Sequence, residues 1–533
     1  TTFKDLIRLF SKYGDVENCY VKKTQKNSNY AFVTFKSVDA AVRARYEEIR
    51  LHNRDLKILA ADSWHQPDNM ENQYHNPNLQ INELNSNEVS DDVVCNLDYE
   101  QDDIGIQTLN DDCLIHIFLQ LPIIDRIRIE RVCKRWRALS QKSWCSVKRL
   151  DLSYSIWGSV SDINRKEIST CTIRKVLLRC GSYLNEIHLS LVPSHLRQST
   201  VTIVAKFCPN LQIIDITGLT ISASGIDSLI NNCHGITKFS LGPTTYVCDI
   251  DLQKLFKVNP KLRYFKFSST KICGRCLLHL PLETIEEIVL ESCTYLQEQP
   301  LSQAIAYLRN LRALTINKCV YISGDVIRAI GTYCTNLKTL EVSSILFSLQ
   351  SNDMLHITQL TNLEVLKIST NTVVTDELLS ILASKCLLLT YLDISECFLV
   401  TNAGIAAIAT LPKLEVLIMN YLRVTNINLR DASNLRRLEC RVCKFTDRMM
   451  IDLIESAPQL RLLDLSGCSN ITNKTLEKAA TLTVSRTNNT ILKVFVGKTS
   501  VDLSTFNKVS PFLQIVNVDL SSCNRTIIFP LVL

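Results

Sequence analysis

Two C-x-x-C pairs come closest, in residue type and spacing, to a metal site in this chain. Cys273 and Cys276 form one pair, and Cys440 and Cys443 form the other. Thiolates at this spacing bind zinc, but a structural zinc site needs four ligands. Neither pair has another pair at a suitable distance along the sequence. The sequence therefore predicts no metal and no cofactor.

Motifs that would indicate an enzyme are missing from the sequence. It contains no glycine-rich phosphate loop, no G-x-S-x-G nucleophile motif and no carboxylate pair that stands apart from the repeats described next. Single histidines such as His188 and His356 are more often surface or core residues than catalytic ones. We therefore expect a protein that binds other molecules and catalyses no reaction itself.

The pattern apolar-x-x-apolar-x-apolar occurs fourteen times in residues 184–518, usually about 26 residues apart. A period in this range predicts a solenoid, in which each unit packs only on its neighbours and the stack serves as a binding surface. A further strand is expected at residues 147–152. The first residues of the fourteen copies, called anchors here, are Leu184, Leu211, Ile236, Leu262, Ile285, Leu311, Leu337, Leu363, Leu389, Leu414, Leu435, Leu460, Ile491 and Leu513.

Cysteines occur at fixed places in this repeat. One set lies eight residues after an anchor, and a second set lies three residues before one. Cysteines in phase with a repeat are expected to be buried free thiols, which indicate a reducing compartment, here the cytoplasm, the nucleus or both. The two sets are Cys293, Cys319, Cys397, Cys443 and Cys468, and Cys208, Cys233, Cys334 and Cys386.

A Ser or Thr suited to begin a helix follows several anchors by 11 or 12 residues, and apolar residues at helical spacing come after it. These residues are Ser222, Ser323, Thr375, Thr401, Thr446 and Thr472. The unit is thus a strand, a turn and a helix. It resembles the cysteine-containing, intracellular subtype of the leucine-rich-repeat family. The resemblance implies an α/β horseshoe over residues 147–533.

Side chains two and four places after each anchor are expected on the open face of the sheet, because side chains alternate along a strand. We call these positions the inner row. The row is mixed in charge and includes aromatic residues, which fits a protein substrate better than a phosphate backbone; a merely solvated surface is the alternative. The candidate substrate-binding residues are Tyr264, Lys266, Lys367, Tyr391 and Asp393.

Residues 109–146 predict three short helices with an apolar stripe at Leu114, Ile117, Phe118 and Leu121. A domain of about 40 residues rarely buries enough surface to be stable alone. The segment resembles an F-box, although Asn110 replaces the usual Pro and Arg126 the usual Leu. The residues that match the F-box pattern are Leu109, Ile117, Phe118, Leu121, Pro122, Asp125, Val132, Cys133 and Trp136.

The F-box resemblance implies docking on a Skp-type adaptor of a cullin–RING ubiquitin ligase, with the repeats binding a protein substrate for ubiquitination and degradation. Some of the candidate residues must instead hold the helices together. The candidate adaptor-binding residues are Leu109, Leu114, Ile117, Phe118, Leu121, Pro122, Ile127, Val132 and Trp136.

Residues 1–62 resemble an RNA-recognition motif without its first strand, which, with Thr1 in place of Met, indicates a truncated protein. Residues 28–35, SNYAFVTF, match the last six positions of the motif's RNP1 octamer. Tyr30 and Phe32 are expected on the open face, where bases of single-stranded RNA stack, and Ala31, Val33 and Phe35 in the core. Ser28 and Asn29 replace the basic residue and the glycine, so contact with a protein is the alternative.

Residues 63–108 contain eight Asn and ten acidic residues but no Lys or Arg, which predicts a disordered linker. The net charge of +6 is mild, and no segment has enough concentrated basic charge to indicate nucleic-acid binding by itself. No apolar run is long enough to span a membrane. The leading interpretation is a non-catalytic substrate receptor of a ubiquitin ligase. An RNA-binding scaffold without a ligase role is the alternative.

Overall fold

The computed structural model describes the residues given at the end of this paragraph. The chain divides into two units, Thr1–Leu109 and Asn110–Leu533. The described residues are 3–22, 30–35, 37, 40, 41, 43, 44, 50, 51, 54–56, 58, 106–152, 169–190, 196–243, 247–319, 322–344, 349–425, 433–486, 488, 490–507 and 510–522.

The first unit contains a helix, α1 (Phe3–Phe10), and an antiparallel pair of strands, β1 (Val16–Lys22) and β2 (Tyr30–Phe35). Two further short strands, β3 (Arg50–Leu51) and β4 (Arg54–Asp55), also pair antiparallel. Leu6 and Phe10 lie on one face of α1 and are buried with Cys19 and Ala44. Val33 and Phe35 pack against this core as predicted. Ala31 is exposed, because the core does not extend to it, so its predicted burial is wrong.

The second unit begins with three helices, α2 (Asp111–Gln120), α3 (Ile123–Arg128) and α4 (Lys134–Ser143). The Asn110 side chain accepts a hydrogen bond of 2.8 Å from the Cys113 amide and so caps α2. This residue, a departure from the F-box pattern, therefore stabilises the first helix. Short 3-10 helices follow α3 at Ile129–Arg131 and α4 at Trp144–Ser146.

The rest of the unit is a solenoid built on one parallel sheet of 15 strands in chain order. The predicted extra strand is present as β5, and it pairs with β6. The strands are β5 (Arg149–Asp151), β6 (Glu186–His188), β7 (Ile213–Ile216), β8 (Lys238–Leu241), β9 (Tyr264–Ser268), β10 (Glu287–Glu291), β11 (Ala313–Asn317), β12 (Thr339–Ser343), β13 (Val365–Lys367), β14 (Tyr391–Asp393), β15 (Val416–Ile418), β16 (Arg437–Glu439), β17 (Leu462–Asp464), β18 (Leu492–Phe495) and β19 (Leu513–Val516).

Helices connect most of these strands, which confirms the strand–turn–helix unit. Within the described residues, three connections contain 3-10 helices, Gly181–Tyr183, Arg275–His279 and Leu355–Gln359. The α-helices are α5 (Thr170–Cys180), α6 (Ser199–Phe207), α7 (Ala223–Asn232), α8 (Asp249–Val258), α9 (Glu298–Tyr307), α10 (Gly324–Tyr333), α11 (Ser351–Met354), α12 (Asp376–Lys385), α13 (Asn402–Ile408), α14 (Asp447–Ser456) and α15 (Asn473–Val484).

The predicted anchors are buried and in register through Leu460. The last two anchors differ from the prediction. Ile491 is in register with Leu460, because Lys493 pairs with Leu462, but its side chain is exposed, while that of the following residue, Leu492, is buried. Leu492 pairs with Leu513, so Phe512 and not Leu513 is the counterpart of Ile491. In both repeats two apolar residues stand side by side, and the apolar pattern alone does not show which of them faces the core.

The six predicted cap residues all occupy helix N-cap positions. Thr375, Thr401 and Thr472 accept a hydrogen bond from an amide of the first turn. Aspartates of the preceding helix add a second cap that the sequence did not predict. Asp376 accepts hydrogen bonds from the Thr401 and Gly404 amides at 2.8 and 3.0 Å, which ties α12 to α13.

Asparagines one place before an anchor connect neighbouring repeats at the turns that precede the strands. Asn336 donates to the Arg309 carbonyl and Asn362 to the Thr335 carbonyl, each at 3.0 Å. Asn210, Asn310 and Asn434 make the equivalent bond to the repeat before them. These side chains satisfy carbonyl groups that the turns leave without a backbone partner.

The nine repeat-phased cysteines are all buried, and every cysteine that the structure describes is a free thiol. Burial raises the pKa of the thiols of Cys233 and Cys386 to about 11 and that of Cys334 to about 12. These cysteines therefore serve as small apolar residues between the coils.

Charged side chains fill part of the sheet face in the C-terminal repeats. Arg441 donates from Nε to Asp464 Oδ2 at 2.6 Å and from Nη2 to Glu439 Oε2 at 2.8 Å. The side chain of Arg441 is 2% exposed, and both carboxylates are fully buried. Arg437 donates to the other oxygen of Glu439. Each buried charge is thus compensated by a partner of opposite charge.

We expect Arg441→Ala to lower the free energy of unfolding by about 3–5 kcal/mol, because it leaves the buried Asp464 carboxylate without a cation and Glu439 with Arg437 alone. Urea denaturation of the full chain measures this change. The matched control is Arg436→Ala in the same repeat, since Arg436 pairs with Glu415 at the solvent-exposed surface. The control should lower the free energy of unfolding by less than about 1 kcal/mol. Equal losses in the two variants would contradict the assigned role of Arg441.

Candidate functional site

The predicted adaptor-binding residues divide into an interior and an exterior set. Leu114, Phe118 and Ile127 are buried inside the three-helix domain. The Phe118 ring lies 5.1 Å from the Trp136 ring, centroid to centroid, and this contact joins α2 to α4. In this structure these three residues hold the domain together and offer no surface to a partner.

The exterior set is apolar and accessible. Ile117 is 38% exposed, Val132 is 55% exposed, and Ile106, which the sequence did not single out, is 45% exposed. Leu109, Leu121, Pro122 and Trp136 are partly exposed. The sequence could have identified Ile106, because it is an apolar residue three positions before Leu109, where the match to the F-box pattern begins. Ile117 and Val132 are therefore accessible apolar side chains of a domain whose core is already filled.

Arg126, the second departure from the F-box pattern, is buried at the centre of the domain. Its Nε donates to the Phe118 carbonyl at 3.0 Å, and its Nη2 donates to the Leu119 carbonyl at 2.6 Å. Its guanidinium lies 5.0 Å from the Trp144 ring centroid. Burial lowers the pKa of this guanidinium. The arginine thus occupies the interior site of an apolar residue and caps the C-terminal carbonyls of α2.

Glu130 joins the three-helix domain to the first helix of the solenoid. Its carboxylate accepts hydrogen bonds from Arg179 Nε at 2.9 Å and Nη2 at 2.8 Å. It also accepts a bond of 3.2 Å from the indole N–H of Trp144, which is buried. A bidentate pair between a carboxylate and a guanidinium fixes both distance and orientation. This contact holds α5 in a defined position against the domain.

The predicted substrate-binding residues lie on the inner row, and most of them are paired. Lys266 forms an ion pair of 2.9 Å with Glu291, and Lys367 one of 3.4 Å with Glu341. The Lys367 ammonium also lies 5.7 Å from the centroid of the Tyr391 ring. Tyr264, Lys266, Lys367 and Tyr391 are all partly exposed and accessible to a substrate.

Asp393 differs from the other predicted substrate-binding residues because it is buried. Its Oδ1 accepts a hydrogen bond of 3.0 Å from the Ser395 amide, and burial raises the pKa of its carboxyl. Asp215 and Asp464 make the same bond two residues on in their own repeats. The Asp393 carboxylate thus has a structural partner at the end of its strand.

The two residues expected to stack RNA bases lie on β2 of the first unit. Tyr30 pairs with Lys22 of β1, and Phe32 pairs with Tyr20. The Phe32 side chain is half-buried, while the Tyr30 side chain lies outside the described part of the structure. The strand pairing places the two residues on one face of β2.

The two C-x-x-C pairs lie in different surroundings. Cys440 and Cys443 are buried just after β16, and the Cys273 thiol lies 3.1 Å from Asp249 Oδ2. Among the described residues, no group of three His, Cys, Asp or Glu could hold a metal ion. In the same part of the chain, no helix has the length and apolar character to cross a membrane.

Comparison with known proteins identifies two domains. The RNA recognition motif family matches residues 1–57, and the F-box domain family matches residues 106–148. The putative RNA-binding protein EEED8.10 of Caenorhabditis elegans is 23% identical over 98% of this chain and 75% of its own length. F-box/LRR-repeat protein 12 of Homo sapiens is 30% identical over 28% of this chain and 42% of its own length.

Solved structures with some similarity include the yeast complex of Rad7 and Elc1, with a TM-score of 0.44 and 17% identity over 66% of this chain and 94% of that one. An LRR protein of Leptospira interrogans has a TM-score of 0.43 and 15% identity over 70% of this chain and 91% of that one. The chain carries an RNA recognition motif and an F-box domain, followed by a solenoid of leucine-rich repeats.

Proposed function

We propose that this protein is the substrate receptor of a cullin–RING ubiquitin ligase. In this role the F-box docks on a Skp-type adaptor, and the repeats bind a protein substrate. The receptor forms and breaks no covalent bond. It holds the substrate near the ubiquitin-conjugating enzyme, which converts a bimolecular encounter into a tethered one. The buried free thiols fit the expected cytoplasmic or nuclear location.

The observation that carries the proposal is that Ile117 and Val132, two apolar side chains of the F-box, are accessible. The domain already has its own core around Leu114 and Phe118. Exposed apolar side chains next to a complete core contribute nothing to folding of the chain. When a partner covers them, the loss of their contact with water stabilises the complex.

The bond network of Glu130 adds a geometric argument. A receptor works best when the substrate and the adaptor keep a constant distance and orientation. A flexible joint between their binding sites would lose that orientation. Arg179 of the first repeat helix and Trp144 of the F-box both bind Glu130. The F-box and the repeats that follow therefore form one continuous body.

We expect Ile117→Asp with Val132→Asp to weaken capture of the adaptor at least about tenfold, because each substitution places a carboxylate in an interface that must lose its water. Co-purification of Skp and cullin with the full-length protein from cells measures the loss. Phe118 is unsuitable for this test because it is buried, so its substitution would disrupt folding of the F-box.

The matched control for adaptor capture is Ile250→Asp with Val484→Asp. Both residues are exposed apolar side chains on solenoid helices. The control should retain the adaptor and the cullin in full. If the F-box variant retains them as well while remaining folded, the ligase role is refuted and the RNA-binding scaffold is the better interpretation.

RNA binding by the N-terminal motif is the second part of the proposal. The RNA recognition motif match over residues 1–57 supports it, as does the likeness to a protein described as a putative RNA-binding protein. Single-stranded RNA would lie across the sheet, with bases against Tyr30 and Phe32. Ser28 and Asn29, which replace the basic residue and the glycine of the motif, favour the alternative of a protein contact.

We expect Tyr30→Ala and Phe32→Ala each to weaken RNA binding by about 1–3 kcal/mol, the usual contribution of one stacked base. Crosslinking of the full-length protein to cellular RNA measures the effect. Phe398→Ala, which removes an exposed aromatic ring from the solenoid, is the control and should leave crosslinking unchanged. Undiminished crosslinking of both motif variants would assign the motif to a protein contact.

A further inference from the structure

Basic residues are concentrated where the F-box meets the solenoid. Residues 126–149 and 169–180 together contain twelve Lys and Arg and a single carboxylate, Glu130. A count of charges over the whole F-box conceals this excess, because Asp111 and Asp112 in α2 and Asp125 in α3 offset it. The positive charge therefore lies between the end of α3 and the start of β5, and in α5.

The exposed residues of α4 form one face. Lys134, Arg137, Ala138, Gln141 and Lys142 are all exposed, and their spacing of three, four, seven and eight residues from the first places them on the same side of a helix. Leu139, Ser140 and Ser143 are buried on the opposite side. The solvent side of α4 thus carries three cations.

Individual contacts link α4 and the residues that follow it to the first repeat. Arg137 Nε donates to the Glu130 carbonyl at 3.1 Å, while Arg179 of α5 binds the Glu130 carboxylate. Arg137 and Arg179 therefore both bind Glu130, one at its backbone carbonyl and the other at its carboxylate. Further along, the Lys148 ammonium lies 5.7 Å from the centroid of the Tyr183 ring, and this ring is 43% exposed. Arg174 is exposed on α5.

Three of the nearby carboxylates are already neutralised by other cations. Asp111 pairs with Arg135, Asp125 with Arg128, and Glu130 with Arg179. Within the described part of the chain, Lys134, Lys142 and Arg174 have no carboxylate within 4.0 Å. Their charge is therefore available to an anionic partner.

We propose that the surface where the F-box meets the solenoid binds single-stranded RNA. We call this surface the junction ridge, and its residues are Lys134, Arg137, Lys142, Lys148, Arg174 and Tyr183. The cations contact successive phosphates, and Tyr183 stacks on a base. Cations combined with an exposed aromatic ring are typical of surfaces that bind single-stranded nucleic acid independently of sequence. An acidic protein segment would use the cations but would not need the ring. The inference goes beyond the proposed function, in which RNA binds the N-terminal motif alone.

The test compares two variants of the full-length protein that lose the same charge. The ridge variant is Lys134→Gln, Lys142→Gln, Lys148→Gln and Arg174→Gln. The control is Lys254→Gln, Lys257→Gln, Lys385→Gln and Lys474→Gln, which removes exposed cations dispersed along the solenoid. Fluorescence anisotropy with a labelled polyuridylate of about 20 nucleotides gives the dissociation constant over a range of salt concentrations, so that both affinity and its salt dependence are measured.

We expect the ridge variant to reduce the slope of log K against log salt by about 3, since each phosphate contact to a single strand contributes about 0.7. The control should keep the slope of the wild type. Tyr183→Ala should weaken binding at least about fivefold at constant slope, as expected for the loss of one stacked base. Equal slopes in the ridge variant and the control would overturn the inference.

Capture of the adaptor by the same variants separates this inference from the proposed function. A ridge variant that loses RNA affinity and keeps the adaptor supports the ridge as an RNA site. A ridge variant that loses the adaptor and keeps its RNA slope assigns the surface to an acidic protein and overturns the inference. Failure of Ile117→Asp with Val132→Asp to reduce adaptor capture would refute the ligase role without any effect on the RNA measurement.

Discussion

The parallel ladder of hydrogen bonds between successive repeats is the constraint on which the rest of the structure depends. The Arg312 carbonyl, for example, accepts bonds from the Lys338 and Thr339 amides of the next repeat, at 2.8 and 3.0 Å. Strands of three to five residues are not stable in isolation, so each one exists only because its neighbours satisfy its backbone groups. The F-box joins this ladder through β5, where the Lys148 carbonyl accepts bonds from the Asn185 and Glu186 amides. The orientation of the F-box against the repeats therefore follows from the first pair of strands in the stack.

Features that recur from repeat to repeat could be predicted from the sequence, because several copies of the same pattern show which positions are apolar even where one copy departs from it. The strands, the helix caps such as Thr375 and the buried cysteines all lie where the pattern indicates. The prediction failed where one repeat had to be interpreted alone. At Ile491 a second apolar residue, Leu492, stands beside the anchor and is buried in its place, and at Leu513 the hydrogen-bond register makes Phe512 the counterpart of the earlier anchor.

Functional surfaces were harder to predict, because residue type does not show direction. Ile117 and Phe118 are adjacent apolar residues that both match the F-box pattern, yet Ile117 is accessible and Phe118 is interior. Asp393 was expected on an open face, but the side chains around it bury it. The junction ridge is divided between two structural elements, so a charge count over each predicted domain did not detect it. These distinctions depend on packing between elements that are far apart in sequence.

The buried cysteines of successive repeats can report where the solenoid opens. At neutral pH the raised pKa values of Cys233, Cys334 and Cys386 leave almost no thiolate, and thiolate is the form that alkylating reagents attack. A thiol becomes reactive only when its own coil opens to water, so its labelling rate reports the local free energy of opening. Because these cysteines recur through the stack, the molecule contains a natural series of probes. Mass spectrometry of the alkylated peptides can therefore show whether the coils unravel from one end or open together.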